Sequence, residues 1–512
     1  MNTPHALIIG AGIGGLSAAI RLAAAGWGVT LFESSAVAGG KAGRVVLDGL
    51  SIDTGPSVLT LPHVFDQLFA CAGEQRTDHL TWLKPDPSFE YIWPDGARLL
   101  CHPELSRTME RVHESFGSRA KYDFEQFMHY TQGIWAAAAP KFVYGPPLSW
   151  SRLLQLGPLQ WAGMARIDAL RTMQHAIHKR IRSPHLRDVL MRYATYNGSD
   201  PRNAPATFNC IAHVELALGG YGVKGGIYAL TEALVALAHR LGVQFHFDTR
   251  IEQIVVEGGS VAGVLANGEF FPSRHVVANT EAAFLNGPLL GRPLKRPAAL
   301  STSLWTAIYK APVESQRAAH TVLFPPTYPD ESASMFDRQQ VAEQPSVYVC
   351  DPCKTHGLAG WNDGQPLFTM VNTPAVQASK LPLQRSEWRH VRTYTANLLQ
   401  QQGFIAGTPQ PLWERTAEQL ATRFPGSCGA LYGEASASWR SAFSRPGTLV
   451  PGVSGLTLAS GSGHPGGGLP LAALSGVQAA DSLMKRTPES SSLFTPAFSS
   501  ETGFPSLFNC KE

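Results

Sequence analysis

Two glycine-rich segments hold the residues best suited to gripping an anionic cofactor. Near the N-terminus, Gly10-Ala11-Gly12-Ile13-Gly14-Gly15 satisfies G-x-G-x-x-G through Gly10, Gly12 and Gly15. In that pattern the first glycine permits a tight turn. The second lets the backbone approach a pyrophosphate, and the third lets the following helix pack closely on its strand. Glu33 follows roughly 20 residues later, where a carboxylate can accept hydrogen bonds from an adenosine ribose. An acid there repels a 2′-phosphate, so NADP is disfavoured. Near the other terminus stands Ser460-Gly461-Ser462-Gly463-His464-Pro465-Gly466-Gly467-Gly468-Leu469-Pro470. A glycine loop that opens a helix is again an anion site. Gly466 to Gly468 carry no side chains, so a substrate could approach whatever ring lies there. His464 could act as an acid or base, but a histidine in such a loop is more often a hydrogen-bonded anchor.

These residues need elements to place them. The apolar run at residues 5–9 reads as a buried parallel strand feeding the first glycine turn. Residues 16–25 suit a helix, Gly26 ends it, and residues 29–32 form a second strand that Glu33 closes. The C-terminal loop likewise sits between a short strand at 456–459 and a helix at 471–483. In the middle of the chain Gly225-Gly226 precedes a helix at 228–241 and a strand at 243–247. A meander follows at 251–256, 261–265 and 270–272, turning at Asn267-Gly268, with a return strand at 276–279. The expected division is a discontinuous nucleotide-binding domain (1–90, 206–290 and 431–486) interleaved with a mixed α+β substrate domain (91–205 and 291–430). Residues 487–512, rich in Ser, Thr and Pro, read as a disordered tail.

After Glu33 come Gly39-Gly40-Lys41 and Asp53-Thr54-Gly55-Pro56. They resemble the G-G-[RK] and D-x-G-P segments of the flavin amine oxidase and phytoene desaturase superfamily. The resemblance implies an α/β fold with a Rossmann-like FAD-binding domain. It places Gly39, Gly40, Gly55, Pro56, Ile251, Gly461, His464, Gly468, Leu469 and Pro470 at FAD, and suggests that Lys41 and Arg44 neutralise phosphate or flavin charge. The helix expected from Leu471 would then point its N–H groups at the pyrimidine side of the flavin. The segment G-x-G-H-P-G-G-G-L-P-x-A-A-L-S-G resembles the C-terminal signature of bacterial carotenoid desaturases, with Arg192 to Gly198, Pro205-Ala206-Thr207 and Gly225-Gly226 matching as well. The nearest likeness is to hydroxyneurosporene and methoxyneurosporene desaturases, which act at the 3,4 bond of 1-hydroxy or 1-methoxy carotenoids. Thr280-Glu281 stands where that family often has Ala-Asp, and residues 353–363 diverge from its usual loop.

Composition suits such an enzyme. The 512 residues can bury two cores, and the chain is 44% hydrophobic and only 16% charged. A net charge of +3 gives no case for nucleic acid. No signal peptide is read, and no uninterrupted apolar stretch reaches the ~18 residues of a membrane span. The seven cysteines are scattered, as in a reducing compartment. Cys350-Asp-Pro-Cys353 is a lone C-x-x-C, from which no redox or metal site is read. Residues 150–193 are rich in arginine with interleaved apolar residues, as in segments that lie on anionic lipid. The expected setting is therefore cytoplasmic, peripherally attached to the inner face of the membrane.

A polyene substrate has almost no polar handle, so its site should be a long apolar tunnel. Candidate walls are Trp135, Phe142, Tyr144, Trp150, Trp161, Tyr193, Tyr196 and Phe208. The resemblance implies hydride transfer to flavin N5, proton loss from the neighbouring carbon, and reoxidation by a quinone or oxygen. If a protein base takes that proton, Glu215 is the first candidate and His213 the second, since burial would raise a glutamate's pKa towards a useful range. No metal ligand set is expected. Alternatives are a plain phytoene desaturase, an amine or amino-acid oxidase needing polar anchors, and a flavin-free prenyl-protein escort.

Overall fold

The apolar runs His5–Ile9, Gly28–Phe32, Val276–Ala278 and Leu456–Leu458 lie beside Gln244–His246 in one parallel sheet. Its order is Leu456–Leu458, Val276–Ala278, His5–Ile9, Gly28–Phe32, Gln244–His246. The computed structural model describes residues 3–146, 166–295, 297, 299–313, 317–376, 385–436 and 445–484. Side chains alternate across a strand. Ala6 and Ile8 therefore enter one core with the helices Ile13–Ala23, Ile227–Arg240 and Leu469–Leu483, while Leu7 and Ile9 enter a second with the meander Ile251–Glu257, Ser260–Ala266, Glu269–Pro272. With both faces covered, the central strands are apolar throughout.

Helices Ile13–Ala23 and Leu469–Leu483 begin earlier than their sequence patterns suggest. Gly12 and Gly468 are their N-caps, so each helix starts directly after the last loop glycine. Gly14, Gly15 and Pro470, poor helix formers in a chain's interior, are tolerated in a first turn.

A second, seven-stranded sheet has the order Trp413–Arg415, Ser303–Ala311, Gln365–Thr373, Val347–Cys350, His320–Leu323, Phe89–Ile92, Arg98–Cys101. It was not legible as a sheet from the sequence. One face packs Trp305, Tyr309, Val349, Leu367 and Val371 against the helix Arg385–Gln401. The other face is turned towards the first sheet. The helical segment Leu105–Ala138, broken at Gly117 where φ is +85°, flanks the strands at 89–101. Cys350 ends a strand and Cys353 lies in the short helix that Asp351 caps, with Cys350 Sγ 3.4 Å from Thr355 Oγ1. Among the described residues, no group of three or more His, Cys, Asp or Glu is arranged to hold a metal, and no helix is long and apolar enough to cross a membrane. The tail at 487–512, Trp150 and Trp161 lie outside the described residues.

Candidate functional site

The carboxyl ends of four parallel strands give Gly10, Glu33, Asn279 and Ala459, the crevice where doubly wound sheets bind ligands. A cavity of about 660 Å³ opens there and runs on to the inner face of the seven-stranded sheet. Gly10, Gly12, Gly14, Glu33, Gly39, Gly40, Lys41, Gly55, Pro56 and Ile251 line it from the N-terminal side. Gly461, His464, Gly468, Leu469 and Pro470 line it from the C-terminal loop. Thus fifteen of the seventeen cofactor candidates converge on one cavity. Gly15 and Arg44 do not reach it. Gly15 serves packing instead: a Cβ there would lie 2.0 Å from Gly10 O. Arg44 is exposed, pairs with Glu232 at 2.7 Å and stacks over Tyr228.

The fit to a dinucleotide can be tested at three helix N-termini. Each begins after a glycine, and each carries orphan N–H groups. At Ile227–Arg240 the protein satisfies them itself, since Asp53 accepts from Ile227 N at 2.5 Å and Tyr228 N at 3.1 Å. Burial pushes the Asp53 carboxyl up to about 6. At Ile13–Ala23 and Leu469–Leu483 no side chain caps the helix, and both open on the cavity. The glycines keep the approach clear. Gly468, at φ +101°, would place a Cβ in open space, while Gly39, at φ +120°, holds its chain against the first turn through Gly39 N to Ala11 O at 2.9 Å. Glu33 accepts from Ala11 N at 2.8 Å and Ser35 N at 2.9 Å, which fixes its carboxylate on the cavity wall. These residues fit FAD.

The expected charge roles need correction. Lys41 Nζ bonds Glu281 Oε1 and Leu431 O, each at 2.7 Å, so its charge already has a carboxylate partner. The cations missed in sequence are Arg250, Arg415, Arg423 and Arg445, all on the cavity. Arg445 holds the C-terminal loop by donating to Gly461 O at 3.3 Å, Tyr432 O at 3.2 Å and Asn197 Oδ1 at 2.7 Å. Asn279, also missed, donates to Ala459 O and so ties the two cofactor strands together. His464 accepts the anchoring role: its Nε2 is 2.9 Å from Gly145 O, and burial lowers its pKa.

The substrate side of the cavity is a sheet face. Thr306, Met370, Tyr348 and Val322 are cross-strand neighbours in one row, and Leu304 pairs with Asn372 in the next. All six line the cavity, opposite Trp135, Phe142, Phe208, Ile211 and Val214. Of the expected wall residues, Trp135, Phe142, Tyr196 and Phe208 are there, whereas Tyr144 and Tyr193 are not. Among the described lining residues the carboxylates are Glu33 and Glu281, and both are engaged.

Neither proposed base lines the cavity. Glu215 is 4% exposed and accepts from Tyr193 OH at 2.8 Å, from Tyr196 OH and from Arg192 Nη2 at 3.4 Å. Arg192 and Tyr196 stand between it and the cavity. Glu215 is the counter-ion of a buried arginine that also lies between 5.0 and 5.6 Å from four aromatic ring centroids. Burial depresses the His213 pKa to about 4, which leaves a neutral ring away from the reacting space. Glu215→Gln is therefore expected to lower stability by about 3–5 kcal/mol by stranding Arg192. The rate of flavin reduction per folded molecule should stay within about threefold, and a loss of ~10²-fold or more would restore Glu215 as the base.

A model of the flavin containing amine oxidoreductases matches residues 13–484. The chain belongs to this family. This flavoenzyme is an FAD-dependent oxidoreductase. A hydroxyneurosporene desaturase from Rubrivivax gelatinosus is 33% identical over 495 residues, covering 94% of each chain. A 4,4'-diapolycopene oxygenase from Methylomonas sp is 29% identical, covering 94% of this chain and 98% of that one. Putrescine oxidase bound to putrescine shares the fold at a TM-score of 0.58 and 14% identity, covering 95% of this flavoenzyme and all of that chain.

Proposed function

We propose that this flavoenzyme desaturates an acyclic carotenoid, introducing a C=C bond at the 3,4 position of a 1-hydroxy or 1-methoxy substrate. The observation that carries this reading is the wall facing the glycine loop. It is an uncharged sheet face, with Leu304, Met370 and Val322 among Thr306 and Tyr348, and the carboxylates that line the cavity are already bonded, so it offers a polyene contact and gives an ammonium group no free anchor. The 33% identical relative is a desaturase of a hydroxylated carotenoid, which supports the same reading. FAD, when bound, supplies the two-electron acceptor. The chain's residues do the rest. Met370, Val322 and Phe208 exclude water and hold the polyene straight. Conjugation spreads developing positive charge, so a strong protein base is unnecessary. Thr306 and Tyr348 are the polar groups in the central row: the Tyr348 OH lies 2.6 Å from Ser57 Oγ and 2.7 Å from His320 Nδ1, which fixes its orientation, and burial keeps that histidine ring neutral.

A lipid-dissolved substrate also supports peripheral attachment to the cytoplasmic membrane face, with quinone or oxygen as final acceptor. The arginine-rich stretch contributes less free charge than its composition suggests. Arg171 pairs with Asp168, Arg182 with Asp123 and Arg192 with Glu215, while Leu170 is exposed among them.

The test is to incubate FAD-loaded protein in liposomes with phytoene and, separately, with a 1-hydroxycarotenoid. A lengthened chromophore with loss of two hydrogens is expected from the hydroxylated substrate. Activity on phytoene alone, or a product that has gained oxygen, would overturn the assignment.

A further inference from the structure

Along the same sheet face, one row beyond Tyr348 and Met370, stand Ser346 and Asn372. Both line the cavity, beside Leu304. Behind them Glu331, 2% exposed, accepts from Ser346 N at 2.9 Å, Ser346 Oγ at 3.0 Å and Asn372 Nδ2 at 3.4 Å. A carboxyl buried this deeply is costly unless its partners justify it. Burial pushes its pKa up to about 7. What it does is grip two cavity-facing side chains by their polar heads and so fix their orientation.

The chemistry left over is specific. Ser346 spends its hydroxyl hydrogen on Glu331, so its oxygen remains an acceptor. Asn372 gives Glu331 one of two amide N–H groups. An acceptor and a donor thus sit side by side beside Leu304, one row beyond Thr306, Met370, Tyr348 and Val322. A hydroxyl, which donates once and accepts, matches that pair. A carboxylate or phosphate would meet the Glu331 carboxyl behind it, and an ammonium group would find Glu331 oxygens already occupied. The spacing is short: two residues along a strand are ~6.7 Å, so this polar pair lies close to the Tyr348 row.

We propose that Ser346 and Asn372, positioned by Glu331, form the subsite that receives the hydroxyl of a hydroxylated polyene end group. This rests on the carotenoid reading above and names the residues that would choose the substrate within it. Sites built to bond a hydroxyl discriminate strongly against analogues that lack one.

Equilibrium binding tests the subsite apart from turnover. The full-length, FAD-loaded protein and its Ser346→Ala and Asn372→Leu variants are titrated with a 1-hydroxycarotenoid and with its hydroxyl-free counterpart. The shift of the polyene absorption band is followed, and the flavin band reports folding of each variant. Wild type should bind the hydroxylated polyene about tenfold more tightly. Each variant should lose most of that preference while binding the hydroxyl-free polyene within about twofold of wild type. Equal binding of the two polyenes by wild type, or equal losses for both in Ser346→Ala, would overturn the subsite. A preference in binding with no desaturated product would uphold the subsite and overturn the desaturase reading. Product formation without any preference would do the reverse.

Discussion

Gly476→Ala is expected to yield a protein that holds FAD poorly and unfolds at markedly lower temperature. Helix propensity alone predicts the opposite, since alanine is about 1 kcal/mol more favourable than glycine inside a helix. The contact decides the sign. A Cβ at Gly476 would lie 2.0 Å from Gly14 O and 3.0 Å from Ala18 N, both backbone atoms of the helix that leaves the first glycine turn. No rotamer relieves such a clash. The helices Ile13–Ala23 and Leu469–Leu483 would have to separate, and both open on the cofactor cavity. Overpacking costs about 1–3 kcal/mol, and a 2.0 Å approach to a backbone atom puts this case at the upper end, above the propensity gain. Thermal unfolding and the flavin absorbance of the purified variant check this. A variant as stable as wild type, with full flavin content, would show that the helices can part without cost.

Asp481→Ala should cost more, about 3–5 kcal/mol. Asp481 Oδ1 lies 2.9 Å from Arg21 Nε, with the two side chains 9% and 5% exposed. The pair clamps the same two helices near their far ends. Removing one partner leaves a buried charge without compensation, whereas replacing both by apolar groups of similar size removes the desolvation cost along with the attraction. The double variant Arg21→Met/Asp481→Leu is therefore expected to recover most of the lost stability, as chemical denaturation would show. A double variant as unstable as Asp481→Ala would mean that the pair contributes through geometry and not through charge.

These contacts show where the sequence was informative. Cofactor chemistry forces glycines to fixed spacings beside short apolar strands, so Gly10, Gly12, Glu33, Gly39 and the loop at 461–470 could be read directly, and they line one cavity. The strands and helices that carry them lie within a few residues of expectation for the same reason. Partnerships across long sequence separations left no such mark. Arg21 and Asp481 are 460 positions apart, and Lys41 and Glu281 are 240 apart. The latter pair explains both why Lys41 is not free for phosphate and what Glu281 does. The sheet that walls the substrate side was missed because its strands are buried on both faces. Trp305, Val349 and Val371 enter one core while Thr306, Tyr348 and Met370 face the cavity, so alternation of apolar and polar residues is blurred. Glu215 looked like a base because it is acidic in an apolar stretch. Arg192 stood in a matched segment, but its pairing with Glu215 and its place on the cavity left no mark in the sequence.

The most direct measurement is anaerobic mixing of the FAD-loaded protein with a 1-hydroxycarotenoid while the flavin and polyene bands are followed together. Loss of the oxidised-flavin band in step with appearance of a longer-wavelength polyene is the predicted result. A flavin that stays oxidised with every acyclic carotenoid, yet is reduced by a polyamine or an amino acid, would contradict the account.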